Sequence, residues 1–447
     1  MRATLILLIA AGVAAADPNP SDKGTPEREK ATALVKQLGD KRYATREAAA
    51  KQLIEMGPAA VPALTDGSKS EDQEVRNRSI ELLPRALVKQ LGDKRYVARE
   101  AAAKQLIEMG PTAVAALTDG SKSDDEEVRN RSIALLPQAK AAEWKRRAAA
   151  YRADAEGKKH DLPQLDEWER LVGKPDAGSR KLFAEMVITN GELLDKATDR
   201  RVAATACAAR CKAVLAQARG PKGQIKAEVG DVAAILFVDT LVPTRSDWST
   251  RAFPAQLLAN PTAVEAIGDA DMGPAFRRLV VKWMQARDKN DPTAGQQFAL
   301  FARKKPFAEA APILIKLAKD KSNDVFTVRV LAIEALGKVG GKDAAAALAD
   351  LVPDNASLFG GGGPDEHRVG DVALAASLTM HGKNLNDFGM RNNFGIGFAT
   401  AEGEEPISIT LHGFANAAAR EKAVKKWKEE VVDKKDEKKE EKKDEKK

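Results

Sequence analysis

The chain has 447 residues, of which 31% are charged and 5% aromatic, and carries a formal net charge of +7. Acidic and basic side chains are interleaved along it, so no large field of one sign forms, and the balance argues against a dedicated nucleic-acid binder. Few aromatics beside abundant alanine exclude an aromatic-rich β-sandwich and favour helices packed through small side chains.

At the N-terminus, Arg2, an apolar run over residues 5–13 and Ala14-Ala15-Ala16 read as an export signal spanning residues 1–16, cleaved after Ala16. Residues 17–25, with Pro18 and Pro20, form a flexible lead-in, and the mature protein is expected to be periplasmic or secreted. No other segment reaches the roughly 20 apolar residues that a bilayer requires. The best candidate, residues 232–242, is short and contains Asp239, so no membrane span is expected.

Residues 33–85 and 86–138 align without a gap at a period of 53, with Tyr43 falling on Tyr96, and differ at eight positions. Such a tandem predicts a repeat architecture. In the first copy, Ala49, Ala50, Leu53, Ile54 and Met56 fall on one side of a helix, and Thr45, Glu47, Lys51, Gln52 and Glu55 on the other. Gly57 ends that helix and Pro58 opens a second, with Val61 and Leu64 inward. A third helix turns Val75, Ser79, Ile80, Leu82 and Leu83 inward, and Pro84 starts a short fourth ending at Gly92.

The period divides further. R-x-x-[A/S]-x-x-x-L recurs at Arg46/Ala49/Leu53, Arg76/Ser79/Leu83, Arg99/Ala102/Leu106 and Arg129/Ser132/Leu136, so the arginines step by 30, 23 and 30 and each copy is two unequal hairpins. This spacing puts each arginine on the face that packs. Buried guanidinium groups need acceptors, and Asp40, Asp72, Asp93 and Asp125, four to six residues upstream, are the expected ones. These arginines and aspartates therefore read as a register-setting ladder, with recognition as the competing role.

The stretches "DKRYATREAAAKQLIEMGPAAVPAL" and "EDQEVRNRSIELL" resemble HEAT-type repeats. The signature returns in "VRVLAIEALGKVGGKDAAAALADLV", where Arg329, Ala332 and Leu336 precede the Gly340-Gly341 break, and more weakly at Arg420/Ala423/Trp427. The resemblance implies an all-α fold, an α-solenoid of antiparallel helical hairpins, of the kind that serves as a protein-binding scaffold. The overall plan is also similar to that of exported bacterial HEAT-repeat proteins, which implies no activity. The organisation expected is tandem repeats over 26–140, a helical middle of degenerate repeats over 141–295, a further repeat over 296–352, a C-terminal helical cap with a long irregular loop over 353–430 and a disordered Lys/Glu tail over 431–447. A separate helical domain is the alternative for the middle.

In that middle, helices are expected over 163–172 ending at Gly173, over 180–189 capped by Ser179, over 192–219 stopped by Gly220-Pro221, over 231–241, after Asn260-Pro261, and over 274–287. Cys207 and Cys211 share one helix as i and i+4, where they point poorly for a disulfide, and two ligands do not make a zinc site; packing as small apolar residues is expected. His381 reads as a helix C-cap residue and His412 as a loop residue. His367 with Glu366 and Asp371 is only a loose metal suggestion. The glycines at 360–363 lack a Lys-Ser/Thr sequel and read as a hinge, while the irregular stretch 382–411, with Phe388, Phe394 and Phe398, is expected to fold back in part as a cap.

No nucleophile, base or metal constellation emerges, so no enzyme activity, cofactor or metal is expected. The leading expectation is a scaffold that binds a protein or peptide through the second helix of each hairpin. The alternative is a binder of anionic cell-surface polymer through Lys41, Arg42, Lys94 and Arg95, which would release at high salt. Third comes an enzyme with an unrecognised site in the middle or C-terminal region. Oligomeric state and partner identity lie beyond the sequence.

Overall fold

In the computed structural model, residues 26–156, 158–173, 175–217, 227–242, 253–287, 291–324, 328–358, 367–392 and 412–433 are described. The expected export signal, lead-in and hinge at 360–363, together with Phe394, Phe398 and residues 434–447, lie outside them. The described residues are mostly helical, as expected for an all-α chain. They include one small antiparallel ladder pairing Arg391–Asn392 with His412–Gly413. The chain divides into two compact units, Met1–Arg146 and Arg147–Lys447.

The first unit is built from the tandem. Its helices are α1 (Pro26–Gln37), α2 (Tyr43–Met56), α3 (Val61–Gly67), α4 (Gln73–Gln90), α5 (Tyr96–Met109), α6 (Val114–Gly120) and α7 (Glu126–Ala153), the last running past the end of the unit. Gly57 and Gly110 take φ of +55° and +52°, which a glycine adopts without Cβ strain, and end α2 and α5. A short 3₁₀ turn carrying Pro58 or Pro111 then leads into α3 or α6. α1 packs on α2 and α3, and α4 packs on α2, α3, α5 and α6. One continuous core results, with Leu34, Leu38, Leu53, Leu64, Leu87, Leu106 and Leu117 among its buried side chains.

Two expectations fail at Pro84. Instead of starting a new helix, it lies inside α4, and Pro137 likewise lies inside α7. A proline removes the donor that would bond the carbonyl four residues back. Here those residues are Ile80 and Ile133, which are 39% and 53% exposed, so water is at hand to take over. Continuing the helix lets Leu82, Leu83, Ala86 and Leu87 carry the packing, and Ile80 stays outward rather than turning in.

The small residue of the arginine signature has a steric cause. A Cβ on Gly67 would lie 2.4 Å from Ser79 Oγ and 2.7 Å from Val35 Cγ1, and Gly120 meets Ser132 and Val88 in the same way. The end of α3 thus seats directly on Ser79. Gly67→Ala is expected to cost about 1–3 kcal/mol through overpacking, read as a lowered urea midpoint; an unchanged midpoint would show that this seat is not tight.

The second unit holds α8 (Leu165–Val172), α9 (Ala177–Lys196), α10 (Arg200–Gln217), α11 (Val229–Leu241), α12 (Pro261–Gly268), α13 (Gly273–Ala286), α14 (Pro292–Lys304), α15 (Ala311–Lys319), α16 (Val330–Val339), α17 (Gly341–Leu351), α18 (Val369–Met380) and α19 (Ala417–Trp427). Two helices are apolar nearly all round and form its centres, as a fully buried helix must be. α11 is packed by α9, α10 and α13, and α18 by α16 and α17. Gly173 ends α8 and the Asn260 side chain caps α12 by accepting from Thr262 N, as the sequence predicts.

The 192–219 run, however, is not one helix: α9 ends at Lys196 and α10 begins at Arg200. Nor is Ser179 the cap of its helix. Asp176 is, its carboxylate accepting from Ser179 N at 2.7 Å, which suits an acidic group at a helix N-terminus. Cys207 and Cys211 are free thiols, both buried, in keeping with the packing role expected of them.

Candidate binding surface

The duplicated basic pairs lie at the surface. Lys41, Arg42, Lys94 and Arg95 are all exposed in the loops that lead into α2 and α5. Their charge is partly spent, however. Asp40 accepts from Arg42 N at 2.8 Å and lies 3.4 Å from Arg42 Nε, and Asp93 meets Arg95 in the same way at 2.8 and 3.3 Å. The backbone N–H of Arg42, and after it the guanidinium, holds the Asp40 carboxyl below its ordinary value; Arg95 does the same to Asp93.

The signature arginines face inward, but their acceptors are not the aspartate carboxylates expected. Arg46 Nη1 donates to the carbonyls of Asp40 and Lys41 at 2.9 and 3.2 Å, and Arg99 to those of Asp93 and Lys94 at 2.8 and 3.1 Å. Arg76 reaches the carbonyls of Ser70 and Glu71, and Arg129 those of Ser123 and Asp124. Asp72 and Asp125 are occupied elsewhere, accepting from helix N–H groups that include Val75 N and Val128 N, both at 3.1 Å. A loop that leaves carbonyls pointing at the arginine frees its aspartate to cap the helix. Arg329 combines both kinds of partner: Nε donates to the Ala318 carbonyl at 2.9 Å, and Nη2 to Asp354 Oδ2 at 2.5 Å.

Two arginines outside the signature tie neighbouring helices together. Arg78 bridges Glu74 and Glu47 at 2.7 and 2.8 Å, and Arg131 bridges Glu127 and Glu100 at 2.6 and 2.7 Å. Their i,i+4 partners were visible in the sequence. The reach to Glu47 and Glu100 was not, since it depends on how the helices pack.

The exposed large apolar side chains of this unit are confined to four helices. Tyr43, Ile80, Tyr96, Val97, Ile107 and Ile133 all stand on α2, α4, α5 and α7, the helices that carry the arginine signature, and none of them stands on α3 or α6. Tyr43 and Tyr96 are 65% and 63% exposed, each with a guanidinium over its ring, Arg46 at 5.6 Å and Arg99 at 5.7 Å. Between α5 and α7 lies an open groove of ≈ 460 Å³, its floor made by Ala103, Ile107, Ala134 and Leu135.

The second unit keeps its polar clusters inside. Asp239 accepts from Trp283 Nε1 at 2.7 Å and from Arg287, and Arg287 also lies 3.4 Å from Asp291. Burial, and after it the Asp239 charge, pushes the Cys211 thiol up to about 12 and raises that of Cys207 too, so both stay protonated and un-nucleophilic. The pentapeptide V-G-D-V-A stands twice, at 229–233 and 369–373. In both places the aspartate takes an arginine from another helix, Asp231 from Arg210 at 2.6 Å and Asp371 from Arg420 at 2.7 Å. In both, a Cβ on the glycine would strike a backbone carbonyl oxygen, Glu185 O or Val352 O. The repeated pentapeptide is the sequence signal for these two ties.

A groove of ≈ 580 Å³ opens beside His160, Gln164 and Arg170. His160 Nε2 lies 2.9 Å from Asp154 Oδ2, and this contact, with the N–H groups of Glu156 and Lys158, lowers the Asp154 carboxyl to about 2. Of the loose metal suggestion, Glu366 lies outside the described residues and Asp371 is held by Arg420. Among the described residues, no group of three candidate ligands could hold a metal. His381 Nδ1 is 2.8 Å from Ser377 O at the end of α18, the capping position expected, whereas His412 belongs to the short ladder rather than a loop. Phe388 is buried with Leu374, Leu378, Phe414 and Trp427, so the one of the three phenylalanines within the described residues does fold back.

No family model matches this chain, nor does any curated protein. Among the described residues, no helix is long and apolar enough to cross a membrane.

Proposed function

We propose that this chain is an exported, non-catalytic α-solenoid of the HEAT type that binds a protein or peptide along the exposed side chains of α2, α4, α5 and α7. The observation that carries this reading is the set of exposed apolar side chains on α2, α4, α5 and α7, in which Tyr43 and Ile80 recur as Tyr96 and Ile133. Exposed apolar groups that recur at the repeat period, while others pack one continuous core, suit an extended partner laid across successive repeats. The stacking of α4 on α2, α3, α5 and α6 supports the solenoid arrangement. The self-paired Arg42 and Arg95 weaken the anionic-polymer alternative.

Residues 17–447 immobilised and exposed to the exported fraction of the source cell provide the test. A defined set of proteins, identified by mass spectrometry, is expected to be retained in high salt and lost when Tyr43, Tyr96 and Ile133 are changed to serine. Equal recovery by the variant would overturn the assignment of the surface. Release of all bound material by salt would favour the polymer instead.

A further inference from the structure

The tandem contains its own comparison. Each residue lining the groove between α5 and α7 has a counterpart 53 positions earlier, and the counterparts differ in one place only, Ala134 against Glu81. Ile54 of the first copy packs against the core, whereas its counterpart Ile107 is 38% exposed at the groove. The charges on the rim cancel: Glu100 pairs with Arg131 at 2.7 Å, and Lys104 faces Glu108 at 4.0 Å. An apolar floor inside a self-neutralised rim favours an uncharged occupant, because a charged one would lose water and gain no partner.

We propose, resting on the protein-binding reading above, that this groove receives one branched aliphatic side chain, leucine or isoleucine, of the partner polypeptide. Ala134 admits it. In the first copy Glu81 sets a carboxylate at the same position and excludes it, so the two copies are not equivalent as binding sites although they are nearly identical in sequence.

The test uses the full chain with labelled methyl groups and two probes, N-acetyl-leucine methylamide and N-acetyl-glutamate methylamide, followed by NMR. The leucine probe is expected to give saturable shifts at Ile107, Ala134 and Leu135 with a dissociation constant on the order of millimolar. The glutamate probe is expected to bind about tenfold more weakly or worse. Ala134→Glu abolishes the leucine shifts, and Glu81→Ala creates matching ones at Ile54 and Leu82. Both substitutions are at exposed helical positions, and circular dichroism confirms that the variants fold.

Absence of shifts, equal response to both probes, or indifference to Ala134→Glu would overturn the proposal. If the probe binds as stated and the capture experiment recovers no partner, the scaffold reading fails while the preference of the groove stands. The reverse result keeps the scaffold and removes the aliphatic pocket.

Discussion

Asp239→Ala is expected to destabilise the second unit by about 3–5 kcal/mol, the cost of leaving a buried charge uncompensated. The carboxylate is fully buried and the Arg287 side chain is 4% exposed, so once Asp239 is gone Arg287 keeps only its longer contact to Asp291, at 3.4 Å, with little solvent to make up the loss. Trp283 Nε1 loses its acceptor in the same step. Urea denaturation followed by tryptophan fluorescence reads the effect, with Trp283 itself as a reporter at the site. Asp239→Asn, which keeps an acceptor for the indole, is expected to fall between wild type and alanine. The pair Asp239→Leu with Arg287→Met should cost less than Asp239→Ala alone, because the two most buried charges leave together and Asp291 keeps its bond from Ala294 N. A cost below about 1 kcal/mol for the single alanine variant would mean that water reaches this cluster.

Arg329→Ala tests the role of the arginine signature. Arg329 is 1% exposed and holds both the Ala318 carbonyl and Asp354, so its loss is expected to cost about 3–5 kcal/mol. Arg42→Ala, at a side chain 79% exposed, is expected to change stability by no more than about 0.5 kcal/mol. Thermal denaturation of the two variants side by side decides the matter. Equal, small effects would return the signature arginines to the list of recognition residues.

Much of the helical plan was legible because it rests on local chemistry. Gly57, Gly110 and Gly173 end helices where the sequence puts them, and Asn260 caps one. Those signals act within one turn of the chain. The misreadings share a different cause. Pro84 reads as a helix start until tertiary packing holds the second half of α4 in line and leaves the Ile80 side facing water. Asp176 and Ser179 are both good caps by residue type, and which of them takes the position depends on the path of the chain before the helix. The acceptors of the arginines were misassigned because carbonyls carry no sequence signal, while aspartates do. The α5/α7 groove was illegible for another reason: it is a gap between helices, and the one residue that distinguishes it, Ala134, looks unremarkable on its own.

The seams of the tandem have a consequence for how the protein varies. The segment A-L-V-K-Q-L-G-D at 33–40 returns unchanged at 86–93, so α1 and the second half of α4 offer the next helix the same residues. Removing residues 33–85, or adding a third such segment, would leave every junction chemically as it was. A chain with one copy fewer or one copy more would keep the same helix-to-helix contacts at each junction. Each added copy would lengthen the surface by one tyrosine, one outward isoleucine and either an alanine or a glutamate at the position of Ala134.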